Sequence, residues 1–279
     1  MRKYLLAVLV TVSVFSSAVI GQVRMPAPST TQTIKQEFGI GTIELVYSRP
    51  NMKGRKAFMD KSELAPIGEV WRTGANAATR IHFSDKVSIG GHDLDSGSYA
   101  IYTIPNKNEW TIIINKGDKD WGTEYKQDWD LFRFKVPVMK YPVHVETFTM
   151  NFQNIKNESC DLRLIWGMTA VNIPITTKIM DRLRASIESA LQGEKKPYQA
   201  AANFYYDMDK NYPKALENVN QAISINDKAF WLYLLKAKIQ KDMGDKAGAK
   251  ISALKTIEIA KEQKNNDYVR AANLLIASL

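Results

Sequence analysis

The feature that most constrains this chain is a change of hydrophobic period near Thr177. Before it, apolar and polar residues alternate in short runs; after it, apolar residues recur at every third and fourth position. A period of two describes a strand and a period of 3.6 a helix, and one segment cannot satisfy both. The chain is therefore read as a β half followed by an α half. A length of 279 residues suits two such units. Hydrophobic residues make up 45% and charged residues 24%, which excludes a disordered or collagen-like chain. Cys160 is the single cysteine, so no intramolecular disulfide can staple the fold.

In the β half, runs rich in Val, Ile, Thr, Tyr, Phe and Trp are separated by Gly, Asn, Asp and Pro. Strands are expected at 33–38, 42–47, 79–83, 86–89, 98–104, 109–115, 130–136, 143–152, 161–166 and 169–175. No helical crossover is visible between them, which excludes a parallel sheet. The fold expected for 33–176 is an antiparallel β-sandwich or jelly-roll-like domain. In 161–166 the side chains of Leu162, Leu164 and Trp166 share one face, and the same alternation sends Cys160 into the core.

In the α half, Ile179, Leu183, Ile187 and Leu191 mark one face of a linking helix within 177–195, with Gly193 as its C-cap. Beyond it, Ala215 and Ala249 stand 34 residues apart, as do Ala237 and Ala271. A helix–turn–helix period of 34 is the tetratricopeptide spacing. The segment 196–279 thus resembles two degenerate repeats, 196–229 and 230–263, and a last helix at 267–279. Lys210 stands where the turn glycine of the first repeat would be. A plain antiparallel bundle is the other reading. Asn203, Tyr206, Lys236, Gln240 and Arg270 are the residues such repeats would offer to a protein partner.

The N-terminus carries a compartment signal. Arg2 and Lys3 precede an uncharged run of about 16 residues, Leu5 to Ile20, shorter than the roughly 20 a membrane span needs. A secretory signal over 1–21, cleaved after Gly21, and a polar leader over 22–32 are expected. Cleavage would leave no membrane span and lower the net charge from +9 to +7. Export and the lack of a dense basic block argue against nucleic acid as a partner. Arg49, Lys53, Arg55 and Lys56 form the nearest thing to a basic loop.

Several rarer blocks follow one another in order: Tyr47-Ser48-Arg49-Pro50-Asn51-Met52-Lys53-Gly54-Arg55, Val70-Trp71-Arg72-Thr73-Gly74-Ala75-Asn76-Ala77-Ala78-Thr79, Gly97-Ser98-Tyr99-Ala100-Ile101-Tyr102-Thr103-Ile104-Pro105, Glu109-Trp110-Thr111-Ile112-Ile113 and Trp121-Gly122. Together they resemble the bacterial exported domain-of-unknown-function family 2911, over about 32–175. The resemblance implies a secreted or periplasmic β domain, often with a helical tail. It implies no reaction, cofactor or catalytic residue.

Candidate ligand contacts are therefore read from residue chemistry. Arg72 and Arg80 could grip a carboxylate or phosphate as a fork. Asn76 both donates and accepts, His82 shares a strand face with Arg80, and Trp121 and Tyr125 offer stacking surfaces. The opposing reading pairs Arg72 with Glu69 or Asp60 and spends Asn76 on tying a loop. His82, His92 and His144 lack zinc spacing, and His92-Asp93-Leu94-Asp95 reads as a turn, so no metal or other cofactor is expected. Ser48 and Ser84 are the serines nearest in sequence to partner His82, but no nucleophile elbow surrounds either. The leading expectation is an exported, non-enzymatic binding or scaffolding protein. Its β domain would hold a small ligand, glycan or peptide, and its helices would contact protein. The alternative is an extracytoplasmic hydrolase or lyase acting on a glycan or envelope polymer. That needs two carboxylates from among Glu63, Glu69, Glu124, Asp128 and Asp130, or an Arg–His–Tyr cluster, in one cleft.

Overall fold

The computed structural model describes residues 25–117 and 125–279. The expected signal peptide, its cleavage point and Trp121 lie outside the described residues. The β half contains β1 (Thr30–Phe38), β2 (Gly41–Arg49), β3 (Thr79–Phe83), β4 (Val87–Ile89), β5 (His92–Leu94), β6 (Gly97–Ile104), β7 (Glu109–Asn115), β8 (Asp130–Gln153) and β9 (Ser159–Thr176). They form one nine-stranded sheet in the order β1-β2-β3-β6-β7-β8-β9-β4-β5. Every pairing is antiparallel. Helices follow, so the β-plus-α class expected from the change of period is the class observed.

The strand expectations at 79–83 and 109–115 match β3 and β7 to the residue. Two expected breaks are absent. The gap expected between 136 and 143 is continuous strand, since β8 runs through Pro137 and Pro142 for 24 residues. Pro cannot donate to a ladder; Pro142 falls where the register with β9 shifts, between Lys140 and Val145, and Pro137 stays in register with Glu109 of β7. Gly167, at φ +60°, likewise lies inside β9 rather than between two strands. The His92–Leu94 stretch, read as a turn, is β5; the turn itself is Gly90-Gly91, and His92 pairs with Ile89.

β8 holds the sheet in its curled form. Its first part pairs with β7 and its remainder with β9, and the bend between them brings it back to the end of β2. There Phe148 N donates to Pro50 O (2.9 Å) and Met52 N donates to Glu146 O (3.1 Å). The Tyr47 hydroxyl accepts from Met150 N (2.9 Å), lies 3.2 Å from Met150 O and donates to Gln32 Oε1 (2.8 Å). Inside the closed sheet the rings of Trp71 and Trp166 lie nearly parallel, 5.8 Å apart. Phe148 meets Trp71 edge-on at 5.0 Å, and Phe58 enters from the loop after β2 to sit 4.6 Å from Trp110. Such offset and edge contacts add to burial of the aromatic surface itself.

The α half comprises α1 (Met180–Ala190), α2 (Tyr198–Asn203), α3 (Tyr212–Ile225), α4 (Phe230–Asp242), α5 (Lys246–Glu262) and α6 (Asn266–Ala277). Glu158, from the turn before β9, caps α1: its Oε1 accepts from Ile179 N (2.7 Å) and Met180 N (3.1 Å). Arg182 on α1 grips Asp85 with both Nη atoms. Gly193 keeps a negative φ and is not the left-handed cap expected of it. A π-helical turn, Phe204–Met208, continues α2.

Three turns between helices share one construction. A residue at positive φ (Lys210, Gly244, Lys264) precedes a capping side chain (Asn211, Asp245, Asn265). Each cap accepts from the backbone N–H three residues on, satisfying an orphan donor of the helix start. Fully buried alanines, among them Ala215, Ala237, Ala249 and Ala272, let the helices approach closely. The buried alanine of α6 is Ala272, one residue past the Ala271 matched from the sequence. Gln240 is not a surface residue as expected. It is buried under the α4–α5 turn, donating to Asp245 (2.9 Å) and accepting from Ser252 (2.6 Å).

The Arg182 fork and the Lys86 backbone N–H hold the Asp85 carboxyl below the usual carboxylate range. A pKa depressed by folding contributes stability above the unfolded value, and that contribution is lost as pH falls through the folded one. Asp85→Asn is therefore expected to lower stability at pH 7. The gap from wild type should close below about pH 4, as read by urea denaturation across pH.

Candidate functional site

The segment from Trp71 to Thr79 is an excursion in the line of β3. Trp71 continues the ladder by exchanging both backbone hydrogen bonds with Thr103 (2.7 and 2.9 Å). Its indole N–H donates to Gly74 O (3.1 Å). Thr79 Oγ1 donates to Thr73 O (2.6 Å), and the Thr73 and Thr103 hydroxyls meet at 3.2 Å. All three threonines are fully buried. Gly74, at φ +151°, passes so close to β2 that a Cβ there would lie 2.8 Å from Ser48 O. Asn76, at φ +60°, donates to Ser48 Oγ and Ser29 O, both at 3.2 Å. Asn76 is thus a tie between this loop, β2 and the segment entering β1.

The outer sheet face is organised by register. β3 buries Thr79, Ile81 and Phe83 and turns Arg80 and His82 outward. His82 Nδ1 lies 3.0 Å from Ser98 Oγ, directly across the β3–β6 pair. Ser84 accepts from Thr42 N (2.7 Å) and Ser48 meets Asn76 and Thr31, so neither serine suggested for His82 is its partner. Next to this row lies a small apolar patch of Ala78, Ala100, Tyr102 and Ile113, with Tyr125 packed on it. The Tyr125 ring stands 4.9 Å from Tyr102.

Tyr125 belongs to a polar network at the start of β8. Its hydroxyl donates to Asp130 Oδ2 (2.7 Å) and accepts from Arg133 Nη2 (2.6 Å). Asp130 Oδ1 accepts from Asn115 Nδ2 (2.8 Å), and Arg133 closes on Oδ2 through both Nε and Nη2. Burial and the Asp130 hydrogen bond push the Tyr125 phenol up to about 12. At neutral pH it is a fixed donor, not a base. Arg72 and Arg80 stand apart from this network. Neither pairs with Glu69, Asp60 or another acid among the described residues, and the buried Arg72 Nε has no acceptor.

Two arginines of the basic loop also bond within the fold. Arg49 lies at the end of β2 and donates to Phe148 O and Thr149 Oγ1 across the closure. Arg55 bonds back to Met52 O and Asn51 O. Lys53, Arg55 and Lys56 are exposed. The described carboxylates suggested for a hydrolase fall in two places, with Asp128 and Asp130 two residues apart around the start of β8. Glu63 and Glu69 are exposed on the loop whose Gly68 bonds to Pro105, by the start of β7. Asp130 is locked at the far end of β7, opposite Asn115. Glu124 lies outside the described residues. No three His, Cys, Asp or Glu residues among the described ones converge on a metal position. His92 instead stacks on Phe132 at 4.6 Å. Cys160 faces the core, where burial lifts its thiol to about 12.

A second surface lies on the helices. α2 with its π-helical turn, α4 and α6 line a groove of about 260 Å³ formed by Gln199, Asn203, Tyr206, Trp231, Lys238 and Tyr268. Trp231 Nε1 donates to Gln199 Oε1 (3.1 Å) and the Tyr206 hydroxyl to Asp242 Oδ2 (2.9 Å). Asn203 and Tyr206 were legible as surface candidates. Trp231, Lys238 and Tyr268 were not, since only the stacking of three non-adjacent helices aligns them. π-helical turns recur at functional positions in helices.

A family model described as a protein of unknown function, DUF2911, matches residues 29–175. The chain belongs to this family. The match spans the sheet from the segment entering β1 to the end of β9, and it contains both the Trp71–Thr79 excursion and the outer-face patch. No match is found among curated proteins. The distinctive blocks of the DUF2911 domain in this chain are largely spent on closure and on the loop tie. Removing the Thr79 hydroxyl would strand the buried Thr73 carbonyl. Thr79→Val is therefore expected to cost about 1–3 kcal/mol in urea denaturation.

Proposed function

We propose that this is an exported, non-enzymatic binding protein whose tetratricopeptide-like helices take a segment of another protein. The groove across α2, α4 and α6 carries this reading. It combines an aromatic floor, Trp231 and Tyr268, with exposed polar groups, Asn203 and Lys238, at its sides. Aromatic anchors with a polar rim are the usual make-up of a binding surface. The repeat assignment draws on the matching turns at Lys210-Asn211 and Gly244-Asp245, which stand 34 residues apart. Asp130 is already engaged by Arg133, Asn115 and Tyr125, and His82 by Ser98, which favours binding over catalysis.

Selection of displayed peptides on the full chain tests the groove. The wild-type protein is expected to enrich a peptide family that binds in the micromolar range. The double variant Asn203→Arg, Lys238→Glu changes only exposed side chains and should lose roughly tenfold or more in affinity with an unchanged circular dichroism spectrum. Equal binding by the variant would place the contact elsewhere. Export is tested separately. Alkaline phosphatase fused after residue 32 should be active in a Gram-negative host, because its disulfides form only outside the reducing cytoplasm. An inactive fusion would remove the exported part of the reading.

A further inference from the structure

We propose that the outer face of the DUF2911 sheet carries an anion site built on Arg72 and Arg80, which takes a small ligand through its carboxylate or phosphate oxygens. This site is independent of the helical groove. The argument rests on how the chain uses its other arginines. Arg49 and Arg55 donate to backbone carbonyls and Arg163 to Asn172. Arg133, Arg182, Arg184 and Arg270 each hold a carboxylate. Arg72 and Arg80 are the described arginines left without a hydrogen bond or ion pair, and the backbone bond from Thr79 N to Arg72 O joins their segments one residue from Arg80.

Their proximity follows from the excursion before β3. Trp71 faces the core in register with Thr103, so the alternation turns Arg72 towards the outer face. Arg72 O then accepts from Thr79 N (3.1 Å), which brings it beside the first residues of β3. Arg80 follows Thr79 and points to the same outer face, in register with Ala100. Ala78 and Ala100, the latter opposite Arg80, are buried in the apolar patch of this face and carry no side-chain acceptor for the guanidinium groups. Among the described acids of this face, Asp130 is committed to Arg133, Asn115 and Tyr125, and Glu109 to Lys135. Glu44 stands in register with His82 on the neighbouring row and pairs with neither arginine.

A guanidinium always carries its charge, and a buried N–H without an acceptor is unfavourable until one arrives. Two planar forks side by side suit an oxyanion with two or three oxygens, each fork taking a pair. The knot around Thr73, Thr79 and Thr103 holds the Arg72 backbone in place beforehand, so little ordering is left for binding to cost.

The test follows the arginine Nε–Hε signals of the full chain by NMR at constant ionic strength, with inorganic phosphate in one titration and acetate in another. Saturable shifts are expected at Arg72 and Arg80, with Arg270 as the exposed reference. The tighter of the two probes names the source. Arg80→Gln, on an exposed side chain, should weaken binding roughly tenfold or more, and Arg72→Lys, which keeps the charge but not the fork, should weaken it similarly. Shifts that do not saturate, or that appear equally at Arg270, would show general ionic screening and overturn the site. So would unchanged affinity in Arg80→Gln. These outcomes do not touch the groove, whose variants lie on the helices.

Discussion

Closure of the sheet by β8 onto the end of β2 is the constraint on which the β half depends. An open nine-stranded antiparallel sheet would expose one face and two edges. Here one long strand pairs with β7, bends through irregular register, pairs with β9, and meets Pro50 and Met52. The bend turns one face of the sheet in on itself. Trp71 meets Trp110, Phe148 and Trp166, and Phe148 meets Trp166, although they lie on different segments. Tyr47 and Arg49 fasten the seam with hydrogen bonds to β8. Burial of the rings drives the closure, and these bonds leave the seam's polar atoms paired.

Closure also explains what the distinctive blocks of the family do in this chain. Tyr47 to Met52 is the seam. Trp71 to Thr79 is a loop tied to β2, β6 and the segment before β1. Most of the polar residues in these blocks serve the backbone. What remains after that use, an Arg pair on the outer face beside small and aromatic residues, is therefore informative. Unused polar groups on a rigid frame are where a ligand can be held without reorganising the fold.

The helices extend the molecule through a short, polar joint. Glu158 caps α1 from the sheet, Asp85 holds Arg182, and Thr177 Oγ1 donates to Lys86 O (3.0 Å). Beyond the joint, the turns repeat one construction, and alanines set the spacing between helices. Lys210 occupies a left-handed position that Gly244 fills without strain in the equivalent turn. A lysine in place of a turn glycine is thus tolerated by the same backbone.

Local chemistry in the sequence determined the strands β3 and β7, the change to helix near Thr177, the inward course of Cys160 and the shared outer face of Arg80 and His82. Each follows from a period of two or of 3.6 bounded by turn residues, and needs no distant partner. Tertiary structure alone decided the rest. The gaps expected at 137–142 and 167–168 are continuous strand, because β8 and β9 pair across them with shifted register. Asn76 was equally a ligand donor or a loop tie until Ser29 and Ser48 came within reach, and Gln240 a surface residue until Asp245 and Ser252 enclosed it. Arg49 and Arg55, read with Lys53 and Lys56 as a basic loop, also donate to carbonyls that the sequence did not point to. Arg72, read either as a ligand fork or as the partner of an acid, has no acid partner among the described residues. A side chain's type and face are local properties. Which partner reaches it depends on contacts far apart in the chain, and those exist only once the sheet has closed.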